Sequence, residues 1–162
     1  MEAGGFREER SGVLVMAVLA GLAAAIVGGV VWGLIVRWSN YEIGFAAWGI
    51  GFVVGTAVVR GAHGSRGTPF QLVAVVLALA GILLGKYLAF VWVGQDELGQ
   101  VGLSGELPVF STTTIRIFWD ARSDVFSGWD LLWVGLAVVM AFRIPQHQRE
   151  PAPQQRDETE TP

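Results

Sequence analysis

Lys86 is the single charge in an otherwise uncharged, mostly apolar run of 24 residues, 70–93. Asp130 directly precedes a shorter uncharged run of 12 residues, 131–142. Arg37 and Glu42 flank the turn between two further runs, 11–36 and 43–59. A charge held in apolar surroundings is costly, so it is kept where it is paired or used. At a helical rise of about 1.5 Å per residue, Lys86 lies roughly 10 Å before the end of its run, and Asp130 roughly 8 Å inside a helix that begins near Val125. Antiparallel connections then bring Arg37, Glu42, Lys86 and Asp130 to one end of the molecule, two cations facing two anions. Trp38, Tyr41, Trp92 and Trp129 are placed to ring them. Two chemistries fit such a cluster. One is a proton or ion pathway; the other is a structural ion pair with a Lys whose stem lies along apolar surface. A pathway needs charges at several depths. The far half of the runs carries none, which favours the ion pair.

Other chemistries find less support. The chain has no Cys, so thiolate metal sites, disulfides and a cysteine nucleophile are excluded. His63 and His147 stand far apart, and no third ligand accompanies either. Ser111, Ser123 and Ser127 have no His near them in the chain, and Gly-x-Ser-x-Gly does not occur. Asp120, Asp124 and Asp130 suit helix capping and solvation better than acid–base work. The segment 60–69 is basic and Gly-rich, but lacks the Gly-Lys-Ser/Thr ending of a phosphate-binding loop. No catalytic residue, cofactor or metal ligand is therefore expected. A net charge of −3 gives no reason to expect nucleic acid as a partner.

The elements that must position these residues are unusually apolar. Hydrophobic residues make up 52% of the 162 and charged ones 15%, against about 25% charged in soluble domains. Mean hydropathy is +0.51. The runs are continuous rather than alternating, which specifies helices. The expected fold is an all-α membrane protein with four transmembrane helices in an antiparallel bundle, spanning about 11–36, 43–59, 70–93 and 125–143. The first run is too long for a signal peptide's apolar core. Residues 1–10 are expected as a cytoplasmic N-terminal segment. From Pro145 the chain turns to Gln, Glu, Arg and Pro, so 145–162 is expected as a disordered cytoplasmic tail.

Between the third and fourth runs lies the only long connection, 94–124. Ser111 to Thr114 offers a helix cap. Ile115, Phe118, Trp119, Arg122, Val125 and Phe126 recur at spacings of three or four, the pattern of an amphipathic helix lying in the headgroup plane and leading into the fourth run. A strand over 112–118 is the alternative. Seven Arg residues (7, 10, 60, 66, 143, 149 and 156) fall on one side of such a topology, and Arg37, Arg116 and Arg122 on the other. That bias places both termini in the cytoplasm. Ten Arg against one Lys, with abundant Gly and Ala, suggests a GC-rich bacterial genome and hence the bacterial plasma membrane.

Small residues recur at spacing four. Ala17, Gly21, Ala25, Gly29 and Gly33 do so in the first run, Ala47, Gly51 and Gly55 in the second, and Gly81, Gly85 and Ala89 in the third. Spacing four keeps them on one helix face, where they let backbones approach closely. Packing inside the bundle is the favoured reading; an interface with a second copy or another membrane protein is the alternative.

The stretch Tyr41-Glu42-Ile43-Gly44-Phe45-Ala46-Ala47-Trp48-Gly49-Ile50-Gly51, with Val54-Gly55 and the Arg-Gly-x-x-Gly turn after it, resembles a recurring type of small bacterial four-span membrane protein. Gly85-Lys86-Tyr87-Leu88 and Asp130-Leu131-Leu132-Trp133-Val134-Gly135-Leu136-Ala137 are similar to its third and fourth spans. The resemblance covers about residues 12–144 and implies a topology but no activity. Members often carry an N-terminal zinc ribbon, which a chain without Cys does not have. The functional expectation is an integral membrane protein of structural, scaffolding or regulatory role, not an enzyme, whose partners are the lipid bilayer and itself or another membrane protein. The alternative is a subunit of an oligomeric transporter or channel.

Overall fold

The computed structural model describes residues 5–39, 45–65, 67–100, 102, 108–125 and 128–146. Its elements, in chain order, are α1 (Gly5–Ser39), α2 (Phe45–Gly61), α3 (Thr68–Gln100), α4 (Thr112–Asp120), α5 (Arg122–Val125), α6 (Gly128–Arg143) and a closing 3-10 turn, Ile144–Gln146. Helix is the form adopted because long Ala, Leu and Val runs contain no interior Pro, and the straight-chain polar residues that flank them are good helix formers. For the same reason α1 and α3 do not stop where their apolar runs stop. α1 continues through Arg37 to Ser39, whose hydroxyl donates to the Ile35 carbonyl at 2.7 Å. α3 continues through Gln95, Asp96 and Glu97 to Gln100. The α2–α3 turn is closed by His63 in the left-handed region (φ 51°), with Gly64 N–H donating to the Val59 carbonyl at 3.0 Å.

Consecutive long helices run antiparallel, and close seams also join parallel ones. A Cβ built on Gly29 of α1 falls 2.7 Å from the Gly81 carbonyl oxygen of α3, and one on Gly33 falls 3.0 Å from the Leu88 Cβ further along α3. Likewise Gly51 and Gly55 of α2 meet Ala137 and Ala141 of α6 in the same order. The core between the helices is mostly small: Ala17, Ala25, Ala47, Ala74, Ala78, Ala137 and Ala141 are buried, with Trp32, Ile50, Val54, Val58 and Ile82 filling the wider gaps.

The four-span expectation is corrected. Among the described residues two helices are long and apolar enough to cross a membrane, Ser11–Ser39 and Thr68–Gln100. The apolar helix Phe45–Gly61 has 17 residues and Gly128–Arg143 has 16. At about 1.5 Å per residue both are shorter than the roughly 30 Å of a hydrocarbon core. A core helix of a soluble protein, or a signal sequence near the N-terminus, meets the same length and composition test. The multi-pass topology expected at 43–59 and 125–143 is thus not matched. Assigning both termini to the cytoplasmic side of a bacterial plasma membrane depended on the parity of four crossings, and it falls with them.

Residues 112–120 are helical, which sets the strand alternative aside, and the helix ends at Asp120 instead of running on into the fourth run. Of the residues expected to share its apolar face, Phe118 is buried whereas Ile115 and Trp119 are exposed. At the other end Pro145, placed by composition in the tail, is fully buried, and Ile144 packs toward Gly55. Residues 147–162 lie outside the described residues.

Candidate functional site

The ionisable centre is Lys86. α3 carries it on the flank of its Gly81–Gly85 face, where it is 2% exposed and the largest of the fully buried side chains. Its ammonium lies 3.2 Å from Asp130 Oδ1 and donates to the Val125 carbonyl at 2.8 Å. Local structure explains both partners. Val125 ends the four-residue α5, whose last carbonyls have no intrahelical donor. Asp130 sits in the first turn of α6, where the helix dipole favours a carboxylate. One cation thus closes the end of one helix and pairs with the start of the next. Two side chains at 1% and 13% exposure form a nearly dry pair, and the carbonyl that the ammonium also reaches offsets part of its desolvation.

The neighbouring residue binds the other end of the same excursion. The Tyr87 hydroxyl donates to the Val109 carbonyl. Its ring packs edge-on against Phe118 of α4 at 5.2 Å between centroids, and Phe90 meets the same ring at 5.6 Å. α4 starts at Ser111, whose side-chain oxygen accepts from Thr114 N–H at 3.0 Å. The buried Thr114 hydroxyl donates to the Pro108 carbonyl at 3.0 Å. Tyr87, Thr114 and Phe118 are therefore part of the site, although only the cap and the helical spacing pointed toward them.

The expected four-charge cluster divides. Lys86 and Asp130 meet. Arg37 does not join them: its guanidinium forms a two-point contact with Asp96, at 3.0 and 2.9 Å. Asp96 falls in the 94–124 connection expected from the sequence, whereas α3 runs on past Val93 to Gln100. Gly94, directly after the apolar run, is a helix-stop signal that the structure overrides. Glu42 and Tyr41 lie outside the described residues. The proposed aromatic ring does not form either. Trp38 and Trp129 are 79% and 74% exposed, and Trp92 packs toward Gly33.

The small-residue faces are occupied from within. A Cβ on Gly21 would meet Val58 and Leu77 side chains, one on Gly29 the Gly81 backbone, one on Gly33 Trp92 and Leu88, and one on Gly51 the Ala137 backbone. On Gly55 it would meet Ile144 and Ala141, on Gly81 Ala25, and on Gly85 Trp32 and Gly29. Ala47 is buried in the same core. Trp32, pressed against Gly85, buries an indole N–H that has no hydrogen-bond partner among the described residues.

The outward faces are the reverse. Val15, Met16, Leu19, Val27 and Val31 of α1 and Leu72, Val76 and Leu83 of α3 are between 42% and 63% exposed. No group of three or more potential metal ligands occurs among the described residues. Comparison with protein-family models, curated proteins and solved structures returned no match.

Proposed function

We propose that this chain is an integral membrane protein with a structural, scaffolding or regulatory role, acting through helix–helix contacts. The observation that carries this reading is the inversion of side-chain size across its helices. Gly and Ala line the interior, while Leu, Ile, Val and Met stand outward along α1 from Val15 to Ile35 and along much of α3. In water such a surface drives association, and soluble monomers rarely expose apolar patches this large. In lipid the outward residues cost nothing, and close backbone contact between small residues supplies the packing that lipid cannot.

Because the small-residue stripes are used internally, this reading puts partner contacts on the outward apolar faces. Lys86 is held by Asp130 and by a backbone carbonyl, which suits a structural device better than an ion path. The test is fractionation of cells that express the tagged chain. Retention in the membrane pellet through alkaline carbonate, with release by detergent, is the expected result. A chain that leaves the pellet in carbonate and stays monodisperse without detergent would overturn the proposal.

A further inference from the structure

We infer that residues 108–125 form a strap over Lys86, latched at both ends by adjacent side chains of α3, and that release of this strap is what opens the buried Lys86–Asp130 pair to outside reagents. Tyr87 holds the entry of the segment through the Val109 carbonyl. Lys86 holds its exit through the Val125 carbonyl at 2.8 Å. Between the latches Phe118 is the one large side chain of α4 that is buried, seated on Tyr87 and Phe90. Thr114 and Ser111 fix the turn that starts the helix.

Other large apolar side chains of the segment stand clear of the bundle. Phe110, Ile115, Ile117 and Trp119 are 44% to 83% exposed. Such a segment, with one aromatic seat and a few hydrogen bonds, belongs to the low-stability end of a fold and opens as a local unit. Both latches run from an α3 side chain to a strap carbonyl, so single changes on α3 release the strap without altering its sequence.

Lys86 is the only lysine in the chain, so it reports on the strap directly. Acetic anhydride acetylates an accessible neutral amine, forming an amide as acetate leaves and the proton passes to buffer. Peptide mass spectrometry of the purified protein separates this product from acetylation of the N-terminus. In the parent, Lys86 should react slowly. Y87F keeps the ring against Phe118 and deletes only the hydroxyl, and it should raise the rate on the order of tenfold, as loss of one buried hydrogen bond does to a local opening. T114V should raise it in the same direction. R37Q, which breaks the distant Arg37–Asp96 contact, should leave it unchanged. Parent-like rates in both Y87F and T114V would overturn the inference. So would a rise in R37Q equal to that in Y87F, because exposure would then come from general loosening rather than from a strap.

Discussion

Substituting alanine at six glycines should separate helix propensity from helix contact. In an exposed helix interior, Gly to Ala gains about 0.8–1.0 kcal/mol. Gly49 and Gly135 have nothing within 4 Å of a new Cβ, so each should gain close to that amount. At Gly51 the Cβ would fall 2.5 Å from the Ala137 carbonyl oxygen and 2.8 Å from its Cα. Ordinary contact begins at 3.4 Å, so α2 and α6 must part by almost 1 Å, and the obstacle is backbone. Overpacking of this kind costs about 1–3 kcal/mol, which leaves a net loss of up to about 2 kcal/mol after the propensity gain and places the variant well below Gly49→Ala. Gly29, at 2.7 Å from the Gly81 oxygen, should behave alike. Gly21 gives the informative contrast: its contacts are as short, 2.6 and 2.7 Å, but they are to the side-chain ends Val58 Cγ2 and Leu77 Cδ1, which can turn aside. Gly21→Ala should therefore fall near neutral. Thermal unfolding of the six variants Gly21→Ala, Gly29→Ala, Gly49→Ala, Gly51→Ala, Gly81→Ala and Gly135→Ala in one buffer or detergent reads the series. If Gly51→Ala and Gly29→Ala melt at or above Gly49→Ala, the seams are not in contact and the packing argument fails.

The Lys86–Asp130 pair should be strongly coupled. Asp130→Asn removes the carboxylate 3.2 Å from an ammonium at 1% exposure and should cost about 3 kcal/mol; Lys86→Met removes the cation facing a carboxylate at 13% exposure and should cost less. The double variant should cost at least 1 kcal/mol less than the sum, and additivity within about 0.5 kcal/mol in a chemical-denaturation cycle would show the two do not interact. Arg37→Gln, by contrast, breaks a contact exposed to 38% and 45% and should change stability by no more than about 1 kcal/mol, falling further at high salt. Ser111→Ala removes the α4 cap and should cost about 1 kcal/mol locally, seen as faster amide exchange in 112–118 with α1 and α2 unaffected.

The helices of this chain are legible wherever an uncharged run reports them, and illegible at their ends. Residues 11–36 and 70–93 lie within α1 and α3. However, hydropathy marks what is apolar rather than what is helical, so the polar turns Gln95–Gln100 were missed, and with them the true partner of Arg37. Spacing four identified the Gly and Ala faces because a helix face repeats at that interval whatever surrounds it. The register of Lys86 against Asp130 followed from counting residues along two helices. What residue counting could not supply was the membrane assignment of two short helices. Runs of 17 and 16 residues carry the composition of a span without its length. Nor could spacing find the seat of Phe118, since the inward face of α4 is chosen by Tyr87 and Phe90 on another helix.

The parallel seam between α1 and α3 has a consequence for register. Small residues every four positions on both helices make the seam nearly self-similar: a slip of one four-residue step, about 6 Å, would again set small against small. Two tryptophans break that degeneracy from opposite sides. Trp32 of α1 needs Gly85, and Trp92 of α3 needs Gly33. Slipped one way, Trp32 finds Gly81 but Trp92 runs into Arg37. Slipped the other way, Trp92 finds Gly29 but Trp32 runs into Ala89. Only one alignment gives both rings a glycine at once, so the pair works as a two-key lock on a seam that would otherwise accept several settings.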